Sequence, residues 1–334
     1  MKHYLYKKKR NIYYPVDEKD LNLQARKRLD EFFSNKETIG IPRRFIEQWD
    51  NVALYQSNGD INKANALFIP NENSAYDLSN KLNDLTAKEW LPETVTVFSQ
   101  KGLGASNKDA QIEKQHPAPF SFQDVARLIR FFTKENQTVL DPFSGVASTM
   151  KACAFENRIG IGIELSSRFY ELGKKRIEME VPDNFSFKSK QNLIHADSLQ
   201  QISKINDNSI DFIVTSPPYW NILETIDHKS KQRLNNNLDH KYSEDKKDLA
   251  NIEEYSVFLD VLSSFFDSCS SILKSEKYMC VIVSDFRKKD KYYTFHTSLA
   301  NEIEKRNHFK LKGIRILYQR HKGIFPYGYP FSFV

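Results

Sequence analysis

Apolar positions recur at helical spacing through Leu21, Ala25, Leu29, Phe32 and Phe33, which predicts an amphipathic helix over 17–34. IPRRFIEQWDNVALYQ predicts a second helix, opening at Ile41 with Pro42 in its first turn. Polar, Asn-rich turns follow at Asn58-Gly59-Asp60 and Pro70-Asn71-Glu72-Asn73. From 116 the texture changes. Val125, Leu128, Ile129 and Phe132 make one helix face, and TVLDPF (138–143) reads as a short buried strand ending in a turn. RIGIGIEL (158–165), NLIHADS (192–198) and SIDFIVTSPPYW (209–220) repeat the strand pattern, with a helix from about Ser167 to Glu180 between the first two. Tyr255, Phe258, Leu259, Leu262, Phe265 and Phe266 form a strong helix, followed by the strand KYMCVIVSDF, the helix TSLANEIEKR and the strand KGIRILYQR. Residues 221–253 are polar and charged and read as a long loop or insertion. Regular strand–helix alternation predicts an α/β fold, a parallel sheet with helices on both faces. The N-terminal region reads as mainly helical, so the expected division is 1–110 and 111–334.

Composition narrows the class. The 334 residues hold 40% hydrophobic and 28% charged side chains, enough for a sizeable core. No apolar run is long enough to span a bilayer, and the basic start MKHYLYKKKR lacks the apolar stretch of a secretory signal, so an intracellular, cytoplasmic protein with no membrane partner is expected. The three cysteines, Cys153, Cys269 and Cys280, and the eight histidines show no metal-ligand spacing, so neither a disulfide scaffold nor a metal site is expected. The net charge of +6 suits a polyanionic partner without demanding one. Basic residues cluster at Lys7, Lys8, Lys9 and Arg10 and at Arg287, Lys288, Lys289 and Lys291. Such clusters are more often solvated faces than binding patches.

The first chemical signal is Asp141-Pro142-Phe143-Ser144-Gly145-Val146-Ala147-Ser148-Thr149, at the carboxyl end of a strand that leads into a helix. That is where an open α/β sheet binds nucleotides, and small residues there let a ligand approach the backbone. Asp141 offers a carboxylate to an ammonium or hydroxyl. About twenty residues on, Glu164 ends the next strand, where a carboxylate can bridge two ribose hydroxyls. Asp197 and Ser198 end the third, placed to hydrogen-bond an adenine amino group. The loop has one glycine and no P-loop lysine, so it is not a phosphate cradle. A nucleoside with a positive centre fits this set, and S-adenosyl-L-methionine is such a molecule.

The second signal is Thr215-Ser216-Pro217-Pro218-Tyr219-Trp220, again at a strand end. Two adjacent prolines stiffen the backbone and remove two N–H donors. The turn then presents carbonyl oxygens and the Ser216 hydroxyl, with an aromatic pair beside them. The exocyclic amine of a nucleobase is a poor nucleophile because its lone pair is delocalised into the ring. Accepting both its N–H bonds, at Ser216 and the Pro217 carbonyl, draws that nitrogen toward tetrahedral geometry. Tyr219 can stack on the base. No covalent intermediate is required, and the Pro-Cys dipeptide typical of enzymes that methylate cytosine C5 is absent.

With these residues in place the chain resembles the bacterial DNA amino-methyltransferases specific for cytosine N4 or adenine N6. Their catalytic motif is S/D/N-P-P-Y/F and their cofactor motif DPFxGxG, and HPAPF precedes the cofactor strand as His116-Pro117-Ala118-Pro119-Phe120 does here. The likeness runs over about 90–334. It implies a Rossmann-like S-adenosylmethionine-dependent methyltransferase sheet, with RILYQR opening a terminal antiparallel hairpin. It implies that Asp141, Pro142, Phe143 and Gly145 line the methionine end of the cofactor, that Glu164 holds the ribose, and that Asp197 holds the adenine. Pro117, Ala118 and Phe120 would close over the cofactor, and Ser216, Pro217, Pro218 and Tyr219 would be the catalytic tetrad. Two features depart from the pattern. Ala147 replaces the usual third glycine, and HPAPF and DPFSG precede SPPYW, whereas many relatives with HPAPF carry SPPY first.

The expected substrate is double-stranded DNA within a restriction-modification or epigenetic system, with cytosine N4 slightly favoured over adenine N6 by Ser216. A cognate restriction endonuclease and a second methyltransferase subunit are the candidate protein partners. Residues 1–110 and the insertion 221–253 are the candidates for target recognition. An RNA or tRNA base amino-methyltransferase shares the tetrad but would bring an RNA-binding module, which the sequence does not display. A catalytically silent DNA-binding subunit would be expected to lose the carboxylates or the Pro-Pro-Tyr turn, and both are intact. The segment Tyr327-Gly328-Tyr329-Pro330-Phe331, the strand end Asp285-Phe286-Arg287 and the strand residue His195 carry weaker signals.

Overall fold

Among the described residues, six short runs within 1–110 are extended, so the expectation of a mainly helical N-terminal region is corrected. The computed structural model describes residues 5–9, 12–34, 41–49, 52–56, 66–100, 111–117, 120–224, 245–288 and 291–319, with the single residues 107 and 235. The chain divides into two units, 1–95 with 130–135 and 96–129 with 136–334. In the first, strands β1 (Leu5–Lys9), β2 (Ile12–Pro15), β3 (Ala53–Gln56), β4 (Ala66–Ile69) and β5 (Ser74–Asp77) form one sheet in the order β2-β1-β3-β4-β5. Only β1 and β3 pair in parallel. All four residues of β4 are buried, so the strand lacks the apolar–polar alternation by which a one-sided strand declares itself. Helices α1 (Leu23–Ser34), α2 (Arg43–Ile46) and α3 (Ala87–Trp90) accompany the sheet, and the two expected helices are shorter than their periodicity suggested. Phe45, Leu54, Leu67, Ile69 and Tyr76 build this unit's core, and Arg44 clamps α2 to α3 through Glu89 at 2.7 Å.

The second unit has the alternation expected. Strand β6 (Val97–Gln100) and helix α4 (Phe122–Phe132) lead into β7 (Thr138–Asp141), α5 (Ser148–Phe155), β8 (Ile159–Glu164), α6 (Ser167–Glu180), β9 (Gln191–His195), α7 (Ser198–Gln201) and β10 (Ile210–Thr215). Helix α8 (Tyr255–Ile272), strand β11 (Leu273–Val281), the hairpin β12 (Phe286–Lys288) and β13 (Lys291–Tyr293), helix α9 (Phe295–Glu304) and strand β14 (Ile316–Gln319) complete it. Five strands form a wholly parallel sheet in the order β11-β10-β7-β8-β9. Every residue of β10 is buried, as expected of an inner strand covered on both faces. RILYQR does not open a hairpin on this sheet. Its strand β14 pairs in parallel with β6 in a separate two-stranded ribbon. Residues 320–334, with the Tyr327–Phe331 segment, lie outside the described residues, as do Ala118, Pro119, Arg10, Lys289 and most of the 221–253 insertion. Among the described residues no helix is long and apolar enough to cross a membrane.

Charged groups are used inside this unit as well. Asp211 on β10 accepts from the Thr138 N–H of β7 at 3.0 Å and pairs with Lys274 of β11 at 2.9 Å, so one buried carboxylate ties three adjacent strands. On the other side, Lys151 of α5 and Arg176 of α6 are both fully buried and share the Glu180 carboxylate, at 2.8 and 3.0 Å. Arg176 also pairs with Glu113 at 2.8 Å, and the Lys151 ammonium lies 4.1 Å from the Phe122 ring centroid. Removing one partner from such a network strands a charge away from water. Glu180→Leu is therefore expected to destabilise by about 3–5 kcal/mol. Urea unfolding of the variant against wild type checks this, and Glu180→Gln, which keeps the acceptor oxygen, should cost less.

Candidate active site

The strand order reverses between β7 and β10. β8 and β9 extend the sheet on one side of β7, while β10 and β11 extend it on the other. Ligands of open α/β sheets bind in the crevice that such a reversal opens at the carboxyl ends of the strands. The two motifs singled out in the sequence, DPFSG after β7 and SPPYW after β10, meet there. Thr215 donates to Asp141 across 2.6 Å, although 74 residues separate them along the chain.

Asp141 is completely buried and its carboxylate is fully engaged. One oxygen accepts from Thr215 and from the Phe143 N–H at 3.1 Å, and the other from the Thr149 hydroxyl. Burial pushes its pKa up to about 6, and these hydrogen bonds oppose that rise. It thus clasps β7, β10 and the start of α5. Ser198 acts in a similar way. It is buried, and its hydroxyl donates to the Pro142 carbonyl. Phe143 turns its ring onto Phe265, with centroids 5.1 Å apart.

Glu164 ends β8 with both oxygens on backbone donors, Gly145 N–H at 2.8 Å and Ser166 N–H at 2.8 Å. Burial raises its pKa to about 8, against the pull of those two bonds. Gly145 has φ +50°, a conformation that favours glycine, and a Cβ there would sit 3.2 Å from the His116 ring. Ala147 also lies in the left-handed region, at φ +61°. Its methyl group faces Gly173 of α6, where an added Cβ would come within 3.1 Å of it. The missing Cβ at 173 makes room for the one added at 147. Asp197 caps α7 by accepting from Leu199 N–H at 3.0 Å.

The segment before HPAPF is fastened over this loop. Glu113 holds Arg176, and Arg176 donates to Ser148 Oγ at 2.8 Å and to the Val146 carbonyl at 3.3 Å. Ser148 donates in turn to the Phe120 carbonyl at 2.9 Å. The His116 ring packs on Phe169, with centroids 4.6 Å apart, and Pro117 beside it is half-buried. Glu113 was missed in the sequence, and His116, Thr149 and Thr215 were quoted within the motifs without a role, because each acts through a contact that only the fold makes.

After β10, Pro217 is buried and Ser216, Pro218 and Tyr219 are half-buried. Burial raises the Tyr219 pKa, opposed by hydrogen bonds with Ser216 and Ser284. Trp220 has φ +41°, a strained conformation for a bulky residue. Its indole N–H donates to the Ile252 carbonyl at 2.9 Å, its ring packs on Tyr255 and Tyr293, and Lys288 lies 4.0 Å above it. These contacts hold the strained turn in place. Asp248, from the far end of the polar insertion, adds a further carboxylate near Glu164, and burial raises its pKa to about 6. Burial pushes the Cys153 thiol up, and the Cys269 thiol up to about 12, which keeps both protonated and unreactive at neutral pH. Among the described residues no three His, Cys, Asp or Glu side chains gather as a metal ion would need.

Residues 3–175 match the DNA methylase family that acts at N6 or N4. The chain belongs to this family. The matched span takes in HPAPF, DPFSG and Glu164 and ends before SPPYW. The Type II beta methyltransferase M.BslI of Bacillus sp. is 45% identical over 67 residues, 20% of this chain and 7% of that protein. The Type II methyltransferase M.HpaI of Haemophilus parainfluenzae is 32% identical over 89 residues, 27% of each chain. M.BglI of Bacillus subtilis is 30% identical over 96 residues, 29% of this chain and 26% of that one. The chain thus matches less than a third of the length of each of these relatives. Membership of a DNA methylase family implies S-adenosyl-L-methionine as the cofactor. The residues fit it: a glycine without a Cβ opens the loop, and Glu164, Asp197 and Asp248 supply acceptors for a cationic nucleoside.

The raised carboxylates set a pH dependence. A carboxyl group with a folded pKa above its unfolded value contributes most at low pH, and that contribution is lost as pH rises toward the folded value. For Glu164 the window runs from about 4.5 to about 8. The melting temperature of the ligand-free protein should fall by a few degrees across this window. Glu164→Gln should flatten the profile between pH 6 and 8.5. A profile equally steep in the variant would show that another group carries the effect.

Proposed function

We propose that the chain transfers the methyl group of S-adenosyl-L-methionine to an exocyclic amine of a base in double-stranded DNA, cytosine N4 in preference to adenine N6. The observation that carries this reading is the junction of SPPYW with DPFSG at the reversal of strand order, clasped by Thr215 and Asp141. The cofactor supplies a methyl group made electrophilic by a sulfonium. Gly145 would line its methionine end and Glu164 would hold its ribose, with Asp197 beside the adenine. The Ser216 hydroxyl and Pro217 carbonyl would accept the two amine N–H bonds. Neither Pro217 nor Pro218 carries a backbone N–H to compete for the nitrogen lone pair. Tyr219 would pack against the base.

An amine in a duplex faces its pairing partner, so the target nucleotide must leave the stack at a cost of a few kcal/mol. Contacts to phosphates help offset that cost. Arg287, Lys288 and Lys291 lie on the hairpin β12–β13, whose Lys288 sits over the Trp220 ring, and are the proposed donors on this side. Lys7, Lys8 and Lys9 on β1 are the proposed donors in the first unit. Base-specific contacts would come from residues 1–110, with the 221–253 insertion as the other source. The restriction-modification setting implied by the relatives makes a cognate endonuclease or a second methyltransferase subunit the proposed partner, in the bacterial cytoplasm and on nucleoid DNA.

The test is incubation with methyl-labelled cofactor and mixed-sequence DNA, followed by nucleoside mass spectrometry. N4-methylcytosine is the expected product. N6-methyladenine would reverse the base preference, and label appearing only in RNA would end the DNA reading. Tyr219→Ala should lower turnover at least tenfold with cofactor affinity within about twofold of wild type, since stacking on a base is worth roughly 1–3 kcal/mol. Single-turnover kinetics beside calorimetric titration of the cofactor separate the two effects.

A further inference from the structure

One carboxylate with an oxygen to spare for a cationic cofactor lies outside the motifs. The Asp141 carboxylate is enclosed and receives three hydrogen bonds from its own chain. Each Glu164 oxygen already receives one backbone N–H. Asp248 differs. Its side chain is 6% exposed, and one oxygen accepts from Ala250 N–H at 2.9 Å. Its second oxygen takes no hydrogen bond from the described residues. That oxygen is left open to a partner, and a carboxylate on so enclosed a residue gains from a cation that a ligand brings to it.

Its placement is built, not incidental. Asp248 sits in a short turn that knits itself together: Asp248 N–H donates to the Asp245 carbonyl at 3.0 Å, and Asn251 N–H to the Asp248 carbonyl at 2.9 Å. The next residue, Leu249, is buried in the same core cluster as Leu140 and Ile163, the residues just before Asp141 and Glu164. Four residues after Asp248, the Ile252 carbonyl accepts the Trp220 indole N–H. The turn is therefore anchored in the core that the strands share and tied to the SPPYW loop, and Asp248 lies within electrostatic reach of Glu164.

We infer that Asp248 is a cofactor-contacting residue that pairs with a cationic centre of S-adenosyl-L-methionine, the sulfonium or the α-ammonium. The inference rests on the cofactor reading above. It assigns a ligand contact to the polar segment that follows the catalytic turn, and it predicts that affinity depends on ligand charge at this position.

The experiment is calorimetric titration at pH 8 of wild type and Asp248→Asn with three ligands. S-adenosylmethionine carries both cations, S-adenosylhomocysteine only the ammonium, and methylthioadenosine neither. Asparagine keeps an oxygen for Ala250 N–H and is a good helix cap, so the turn should survive. A melting temperature close to wild type verifies that. The expected result is a loss of about tenfold for S-adenosylmethionine with methylthioadenosine unchanged. If S-adenosylhomocysteine weakens as well, the partner is the ammonium, and if it does not, the partner is the sulfonium. Equal weakening of all three ligands, or no change in any, overturns the assignment. Failure of the wild type to bind S-adenosylmethionine at all would instead overturn the cofactor reading, and the assignment with it.

Discussion

The hydrogen bond from Thr215 to Asp141 joins the two halves of the site. It spans the point where the sheet reverses direction, and it is made in a fully buried setting where an unpaired carboxylate would be costly. Because Asp141 also receives Thr149 and Phe143 N–H, one side chain fixes the start of α5, the turn after β7 and the end of β10. Everything that follows β10, including Ser216 and the two prolines, starts from this clasp. The same group that reads in the sequence as a ligand contact is, in the fold, also the fastening between the turn after β7 and the turn after β10.

A second layer of support comes from buried charge. Glu113, Arg176, Glu180 and Lys151 tie the segment before HPAPF to α5 and α6, and through Ser148 to the Phe120 carbonyl. Ion pairs of this kind contribute less to net stability than their number suggests, because both partners give up water. They are demanding about geometry, however, since a displaced partner leaves a charge unpaired. Here they hold the segment that leads to His116 against the loop that carries Gly145. Backbone strain accompanies this precision, at Ala147 and at Trp220, and in each case neighbours accommodate it: Gly173 yields space to Ala147, while Ile252, Tyr255 and Lys288 hold Trp220.

The parallel sheet was legible along the chain because its strands are short apolar runs with an acid or a proline turn at the end. The helix from Ser167 to Glu180 begins and ends where its periodicity predicted, β8 lies within a residue of the expected limits, and β10 begins within a residue of them but ends at Thr215, before the two prolines. The N-terminal sheet was not legible. Its strands are four or five residues long, too short for a period to emerge, and β4 is buried throughout. The separate ribbon of β6 and β14 was hidden for a different reason: its two strands are more than 200 residues apart, and nothing local marks which sheet an apolar run will join.

The sequence by itself determined the class of fold, the two motifs and the chemistry they suit, because strand periodicity, paired prolines and acids at strand ends are local properties. Only the tertiary structure decided which polar atoms remain for a ligand. Asp141 and Ser198 stand at motif positions yet turn their side chains inward, while Asp248, in a polar stretch with no motif, has one oxygen that takes no hydrogen bond from the described residues. Hydrogen-bond capacity is finite, and the donors that fill it at Asp141 come from residues 2, 8 and 74 positions away. Residue types announce what a side chain can bind. Folding decides what it has already bound, and the site is made of what is left.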